Sequence, residues 1–159
     1  MMSETEQLAY AAGLIDGEGC ITIKKQRSSH GGKYLGRNYT PAYRPTLTVE
    51  MCDRGGLDAL LAWFGGSIII HKARLSRHRV RYAWYLSCDR AVDLLRRVSP
   101  FLLVKRRQAE VAIELQASHR QWETQKRNRL IGHRVPLDEV SRREALKQKI
   151  NVLNAKGNP

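Results

Sequence analysis

One helix with a face almost bare of side chains constrains this chain more than any other feature of its sequence. The segment from Glu4 to about Gly17 has apolar residues at helical spacing, and Gly17 and Gly19 end that pattern. Ala9, Gly13 and Gly17 follow one another at four-residue intervals and therefore share one helix face. A face of such small residues lets a second backbone approach closely. We expect this helix to pack against the same helix of a second chain, with Ala9, Ala12, Gly13 and Asp16 in the interface.

Two carboxylates lie at the C-terminal end of this helix. Asp16 and Glu18 stand where the helix macrodipole is negative, so an acid at this place favours a nearby cation. Pairing of two chains through the bare face would bring two Glu18 carboxylates together. Paired carboxylates at a two-fold axis can hold Mg²⁺, which prefers oxygen ligands, waters and phosphates. The sequence therefore predicts a shared metal site.

The chain is strongly basic, and its charges are unevenly distributed. Its 28 Lys and Arg exceed its 15 Asp and Glu, giving a net charge of +13, while 42% hydrophobic residues are enough for a core. No acid occurs in Ile21–Val49 or in Ala59–Ser87. Because a solvated surface normally mixes both signs, these segments predict two parts of one face that binds a polyanion, with nucleic acid the first candidate.

Membrane partners and an oxidising compartment are not expected. No apolar run is long enough to cross a bilayer, and the acidic segment Met1–Gln7 does not resemble a signal or transit peptide. Cys20, Cys52 and Cys88 are odd in number and lack zinc-site spacing, which predicts reduced core residues. We expect a cytoplasmic protein.

Two strand pairs separated by a helix predict an α+β domain. After the first helix the predicted segments are Cys20–Lys24, Leu47–Met51, Leu57–Phe64, Ser67–Ala73, Arg79–Ser87, a helix capped by Asp89, Leu102–Ser118 and Leu137–Asn154. The polar stretch Ser28–Pro45 is expected to be a long basic loop. Two such hairpins can form one four-stranded antiparallel sheet with helices on a single face. The fold class is therefore an αββαββα core with an extra C-terminal helix.

The uncovered face of this sheet is expected to read DNA. By alternation and proximity its predicted members are Thr22, Lys24, Gln26, Arg44, Thr46, Thr48, Glu50, Lys72, Arg74, Arg77, Arg79, Arg81 and Tyr85. The alternate residues Val80, Tyr82, Trp84 and Leu86 are expected to face the core. The polar residue types on the uncovered face carry groups that match base edges in a major groove. This pattern predicts double-stranded DNA as partner and no small-molecule substrate.

Residues 120–136 are expected to form a basic connector before the last helix. The connector contains five cations and a single acid, Glu123. Arg127 and Arg129 are expected to contact phosphates, which position a duplex without reading its sequence. The predicted organisation is a core over residues 1–119, with residues 120–159 packed on the same domain.

The segment Ala11–Gly19 resembles the nonapeptide motif of the LAGLIDADG homing endonucleases. It has Ala11 for the leading Leu, Gly17 for the second Ala and Glu18 for the final Asp. The order of elements, the turn Gly65-Gly66-Ser67-Ile68 and the segment Pro100–Ala109 are also similar to that family. The resemblance covers about Leu8 to Ala117.

This resemblance implies a homodimer that makes a staggered double-strand cut in a long pseudo-palindromic site, an activity associated with intron homing. It also implies a bacterial or phage origin, or an organellar protein if the gene lies in an intron. It implies that Glu18 and the Gly17 carbonyl bind Mg²⁺, for which Mn²⁺ or Ca²⁺ can substitute in binding. Lys105 matches a basic residue near the scissile phosphate, and Asp53 a polar residue that helps to organise water. Asp16 matches a residue that fixes the turn rather than a direct ligand. The basic residue often found four positions after Asp53 is replaced by Leu57, which departs from the pattern.

Two alternatives share some of these features. The same scaffold without the chemistry would be a nucleic-acid-binding protein, such as an intron maturase or a repressor. Glu18 and Lys105 argue against it, because a pure binder gains nothing from a carboxylate beside phosphates. A non-catalytic RNA-binding module would use exposed Tyr34, Tyr39 and Tyr43, but it would not explain the bare helix face.

Overall fold

The computed structural model of this protein describes residues 2–26, 41–72, 79–127 and 135–155. In chain order its elements are helix α1 (Glu4–Glu18), strands β1 (Gly19–Gln26) and β2 (Ala42–Met51), helix α2 (Gly55–Phe64), strands β3 (Ser67–His71) and β4 (Arg81–Ser87), helix α3 (Cys88–Val98), a single 3-10 turn (Ser99–Phe101), and helices α4 (Arg106–Arg127) and α5 (Leu137–Leu153). The predicted fold class is confirmed. Within the described ranges, no helix is both long enough and apolar enough to cross a membrane.

Local sequence signals place the start of α1. The Ser3 hydroxyl accepts from the Glu6 backbone N–H at 3.3 Å, and the Glu6 carboxylate accepts from the Ser3 backbone N–H at 2.6 Å. This reciprocal capping box satisfies two donors that a helix start leaves without partners. The helix therefore begins at Glu4, as its apolar periodicity predicts.

The four strands form one antiparallel sheet in the order β1-β2-β4-β3. β1 pairs with β2 from Gly19 opposite Val49 to Gln26 opposite Ala42. β4 ends at Ser87, opposite Thr46, so the first residues of β2 extend past its neighbour. Among the described residues, the β4-facing side of β2 therefore has no strand partner at its N-terminal end.

The hydrophobic core lies between one face of the sheet and the helices. Ile21, Leu47, Val49, Trp84 and Leu86 project from the strands into it, and each is at most 2% exposed. At about 25 cal/mol per Å² of buried apolar surface, this one-sided burial is the main force holding the layers together. Within the described ranges, no helix packs on the opposite face of the sheet.

The turn before β3 requires glycine. Gly65 and Gly66 both adopt positive φ, 70° and 97°, and a Cβ on Gly66 would lie 2.7 Å from the Tyr85 carbonyl oxygen. The Gly65 carbonyl accepts from Trp84 Nε1 at 2.8 Å, which satisfies the polar atom of a buried indole. The glycine pair therefore sets where β3 joins β4.

The helix α4 differs from the prediction at both ends. It begins at Arg106 rather than Leu102 and continues to Arg127, so much of the expected basic connector is helical. Arg120 lies within this helix and pairs with Asp89 at 2.9 Å. Asp89 makes no cap for α3, which has no side-chain cap; its carboxylate accepts from Gln116 Nε2 at 2.8 Å instead. A tertiary contact between two helices has replaced the expected local one.

Several burial predictions are also wrong. All three cysteines are free thiols, but they are not core residues: Cys20 and Cys52 are exposed and Cys88 is half-buried. Cys20 belongs to the alternation of the uncovered face, and Cys52 follows the end of β2. Val80 precedes β4 and is 40% exposed, so it does not face the core.

The strand β2 begins inside the stretch expected to be loop. It starts at Ala42, and Tyr43 is 2% exposed rather than open to solvent. Its hydroxyl donates to the Glu144 carboxylate of α5 at 2.5 Å. Tyr34 and Tyr39 lie outside the described residues.

Candidate nucleic-acid interface and metal site

The C-terminal end of α1 is tied to the segment that enters α4. The Asp16 carboxylate accepts from the backbone N–H groups of Leu103 at 2.7 Å and Lys105 at 2.9 Å. In return, the Lys105 ammonium donates to the carbonyls of Ile15 at 3.0 Å and Asp16 at 2.5 Å. Lys105 thus supplies the cation that the negative end of the helix favours. We call these contacts the Asp16–Lys105 clamp.

The charge of Asp16 is stabilised within this clamp. Partial burial acts to raise the pKa of its carboxyl, but backbone N–H groups of Leu103, Lys105 and Val104 act together against it, aided by the charge of Lys105. The net result is a pKa below the ordinary value for Asp. Asp16 is therefore held as a carboxylate, and its hydrogen bonds lie within its own protomer.

Glu18 follows Asp16 by two residues, and its side chain is exposed. Gly19 follows it in extended conformation, and a Cβ there would lie 2.5 Å from the Ile15 carbonyl oxygen. The chain can therefore turn directly from α1 into β1 only with glycine at this position. Glu18 lines an open pocket together with Glu50, Met51, Cys52 and Arg81. This places the carboxylate at the junction of α1 and the sheet.

The bare face of α1 is open in the protomer. Ala9, Gly13 and Gly17 are exposed, and a Cβ at Gly13 or Gly17 would meet no atom of the described residues within 4 Å. Ala12, by contrast, is 1% exposed and packs in the protomer's own core. It cannot be a surface residue of an interface, because residues of its own protomer already enclose its side chain.

Two exposed apolar side chains adjoin the clamp. Leu103 is 86% exposed and Val104 is 69% exposed, although backbone groups of this segment bond to Asp16. Singly exposed apolar residues need no explanation, but adjacent ones suggest a contact surface. The sequence analysis missed them because they precede a helix and belong to no periodic pattern.

The uncovered face of the sheet is the predicted one over most of its length. Strand register places Thr22, Lys24 and Gln26 beside Arg44, Thr46, Thr48 and Glu50 on the same face, followed by Arg81 and Tyr85. Thr46 is 0% exposed, and its hydroxyl donates to the Arg44 carbonyl at 3.3 Å. A side chain enclosed in this way is poorly placed to reach a base. Register adds residues that the sequence analysis missed, namely Cys20, Ser67, Ile69, His71, Ala83 and Ser87.

Two contacts orient cations on this face. Arg81 Nη1 lies 2.8 Å from Glu50 Oε1 in an ion pair. The Lys24 ammonium lies 4.9 Å from the centre of the Tyr85 ring, within cation–π range. The first contact joins the neighbouring strands β4 and β2, and the second reaches across β2 from β1 to β4. Each cation is therefore held by a residue that shares its surface.

The remaining predicted residues lie at the margins. Arg79 precedes β4 and Lys72 follows β3, and both are exposed. Arg127 is the last residue of α4. Arg74, Arg77 and Arg129 lie outside the described residues.

Asp53 serves the start of α2. It is exposed, and its Oδ1 accepts from the Gly55 backbone N–H at 2.6 Å. Leu57, which occupies the place of the family's basic residue, is 0% exposed and packs in the core. One carboxylate oxygen of Asp53 has a backbone partner, and the side chain follows β2 near the pocket that Glu18 lines.

No protein-family model and no curated protein sequence matches this chain. The homing endonuclease I-CvuI, solved with a DNA target in the presence of Mg, is 17% identical with a TM-score of 0.66, covering 96% of this chain and 85% of that one. The archaeal intron-encoded homing endonuclease I-Vdi141I, solved with DNA, is 18% identical with a TM-score of 0.69, covering 98% and 89%. The LAGLIDADG homing endonuclease I-GzeII, solved with its DNA target, is 14% identical with a TM-score of 0.55, covering 95% and 44%.

Proposed function

We propose that this chain, which has the fold of the LAGLIDADG homing endonucleases, is a site-specific DNA endonuclease that works as a homodimer. Each protomer would lay the uncovered face of its sheet on one half-site of a long pseudo-palindromic target. The two Glu18 carboxylates would meet between the half-sites. One motif per chain means one hydrolysed phosphodiester per protomer, so a double-strand cut needs both.

One observation carries this proposal: Glu18 is an exposed carboxylate at the end of a helix face that has room for a second backbone. Among the described residues, no atom lies within 4 Å of a Cβ placed on Gly13 or Gly17. Glu18 itself lies where α1 meets the uncovered face of the sheet. Pairing of the two faces would therefore place two carboxylates over the DNA.

A divalent metal fits the donors at this place. Glu18 offers a carboxylate and Gly17 a backbone carbonyl, and hard cations such as Mg²⁺ prefer oxygen ligands. Mg²⁺ commonly keeps several waters and takes only one or two carboxylates plus substrate phosphates. Within the described ranges, no group of three or more His, Cys, Asp and Glu could hold a metal, so the second chain and the DNA would complete the site. A bound metal would supply charge neutralisation at the phosphate and an activated water.

In this proposal Lys105 is a positioning residue. Its ammonium donates to the carbonyls of Ile15 and Asp16, the last two before Gly17. It therefore holds the backbone from which the Gly17 carbonyl and Glu18 project, and it keeps a positive charge near the reacting phosphate. Asp53 would orient water from the end of β2 with its second carboxylate oxygen.

Base reading would rest on the cations and polar groups of the sheet. Arg81 and Lys24 are held by Glu50 and Tyr85 before DNA arrives, and pre-orientation lowers the entropy lost on binding. Arg127 and Arg129 would contribute phosphate contacts.

The test is selection of cleaved sites from a randomised DNA library in the presence of Mg²⁺. We expect one enriched pseudo-palindromic sequence with staggered ends. The matched control is Glu18→Gln, which keeps the shape but removes the charge. This variant should bind the selected site and leave it uncut; equal cutting by both proteins would refute the metal site.

A second candidate, a nucleic-acid binder without chemistry, has one observation in its favour. Two of the three N–H donors of the Lys105 ammonium are already engaged by carbonyls, so only one remains for a phosphate. Binding of a specific site without any cleavage in Mg²⁺ or Mn²⁺ would select this candidate.

A further inference from the structure

A cleft between α4, α5 and the start of β2 contains polar side-chain atoms without hydrogen-bond partners. It has a volume of ≈ 300 Å³, and the residues that line it include Arg44, Gln116, His119, Trp122 and Arg143. This volume is at the lower end of the range for small-molecule sites and is about ten times the volume of one water. The cleft adjoins the end of β2 that extends past β4.

Three of its side chains are incompletely hydrogen-bonded. Among the described residues, four buried side-chain nitrogen or oxygen atoms lack a hydrogen-bond partner, and three of them are Gln116 Oε1, His119 Nε2 and Arg143 Nη2. The fourth, Glu50 Oε1, lies 2.8 Å from Arg81 Nη1 and is satisfied as an ion pair. Buried polar atoms without partners are costly, so their convergence in one cleft points to a missing ligand.

The partners of these side chains fix what they offer. Gln116 is 6% exposed and donates through Nε2 to Asp89, which leaves its Oε1 as an acceptor. Arg143 is also 6% exposed and donates through Nε to Glu139 at 2.7 Å, which leaves Nη2 as a donor. Burial and the nearby charge of Arg143 lower the pKa of His119 to about 4. At neutral pH its imidazole is therefore uncharged.

We propose that this cleft binds the base of an unpaired nucleotide. A nucleobase presents adjacent donors and acceptors on one edge, which complement Gln116 Oε1 and Arg143 Nη2. Its flat face suits the half-buried indole of Trp122, because stacking on aromatic side chains is the usual way of holding unpaired bases. Arg44 lines the cleft and also belongs to the uncovered face of the sheet, so a backbone lying there can direct a base inward.

This inference rests on the proposed function only in taking nucleic acid as the partner. The cleft shares no lining residue with the pocket that contains Glu18, and no residue of the clamp lines it. Single-stranded or looped nucleic acid and free nucleotides share the relevant chemistry. The experiment must therefore separate these two sources.

The probe is an oligonucleotide of about 10 nucleotides, all abasic except for one central base, compared with a fully abasic one. Both carry the same backbone charge, so electrostatic binding cancels. With the full-length protein and EDTA present, we expect the single base to tighten binding about fivefold or more. Free nucleoside monophosphates form the second arm; binding that depends on Trp122 there would show base recognition without a polymer.

Variants identify the cleft as the binding place. Trp122→Leu should remove the difference in affinity between the two oligonucleotides, and Trp122→Phe should keep most of that difference. Trp63→Leu replaces another half-buried indole outside the cleft and should leave the difference intact. Equal binding of both oligonucleotides by the unsubstituted protein, or an unchanged difference in a folded Trp122→Leu, would overturn the proposal. Cleavage of duplex DNA, measured in parallel, tests the proposed function separately.

Discussion

The side chains of Asp16 and Lys105 each bond to the backbone of the segment that contains the other residue. The Asp16 carboxylate holds the N–H groups of Leu103 and Lys105, while the Lys105 ammonium holds the carbonyls of Ile15 and Asp16. The end of α1 and the start of α4 are therefore one unit. The position of Glu18, two residues after Asp16, depends on a lysine that is distant in the sequence.

Lys105→Met tests this dependence. Hydrogen bonds to a charged group contribute about 1.5–3 kcal/mol, so we expect unfolding by urea to show a loss in that range. We also expect cleavage to slow by orders of magnitude with little loss of DNA affinity. Arg106→Met, at the exposed neighbouring position, is the matched control and should change both quantities much less. Unchanged stability in Lys105→Met would mean that the ammonium does not hold the end of α1 in solution.

Gly13→Leu tests the dimer. A Cβ at Gly13 meets nothing within 4 Å in the protomer, so the substitution should leave the fold intact while it separates two paired helices. Sedimentation should show a folded monomer or a loosened dimer, and double-strand cutting should be lost. Gly13→Ala is the conservative comparison, and it should stabilise the isolated helix by about 0.8–1 kcal/mol. An unsubstituted protein that is monomeric and still cuts both strands would contradict the prediction.

Arg81→Ala and Arg127→Ala separate base reading from phosphate contact. Arg81 lies on the uncovered face beside Glu50, and loss of a bidentate base contact costs about 1–3 kcal/mol of discrimination. We expect relaxed preference at one base position in each half-site. Arg127→Ala should weaken binding to all DNA sequences alike, and it should reduce the salt dependence of the binding constant by about one released ion. The measurement is affinity for the selected site and its single-base variants across a salt series. Identical behaviour of the two variants would show that the sheet is not the reading face.

The pH dependence of stability should depend in part on Glu144. Its carboxylate accepts from Lys25 Nζ at 2.6 Å and from the Tyr43 hydroxyl at 2.5 Å, and these bonds lower its pKa from 4.5 to about 2. A depressed pKa in the folded state means that the stabilisation is present above about pH 4.5 and is lost as the pH falls towards 2. Glu144→Gln should therefore be less stable than the unsubstituted protein at pH 7, and the two should converge near pH 2. Parallel stability curves across this range would exclude the contribution.

Much of the fold could be predicted from sequence because its signals are local. The helical spacing from Leu8 to Ile15 and the alternation along β1 and β4 depend only on near neighbours, and the structure has both. Strand alternation also decides which side chains share a face, so Lys24, Glu50 and Arg81 could be grouped before any fold was known. The bare face of Ala9, Gly13 and Gly17 was likewise evident, because its members lie one helical turn apart.

Only the tertiary structure decided which of these residues have partners and which are enclosed. Asp89 looked like a helix cap, but Gln116 and Arg120 from α4 reach it instead. Ala12 and Gly13 are neighbours on one helix, yet Ala12 is buried in the core and Gly13 is exposed. Such outcomes depend on which distant segments pack together, because burial and charge pairing are properties of neighbours in space. The sequence by itself determined the order of the elements and most of the faces. Packing determined that Lys105 would bond to the last turn of α1 and hold the backbone from which Glu18 projects.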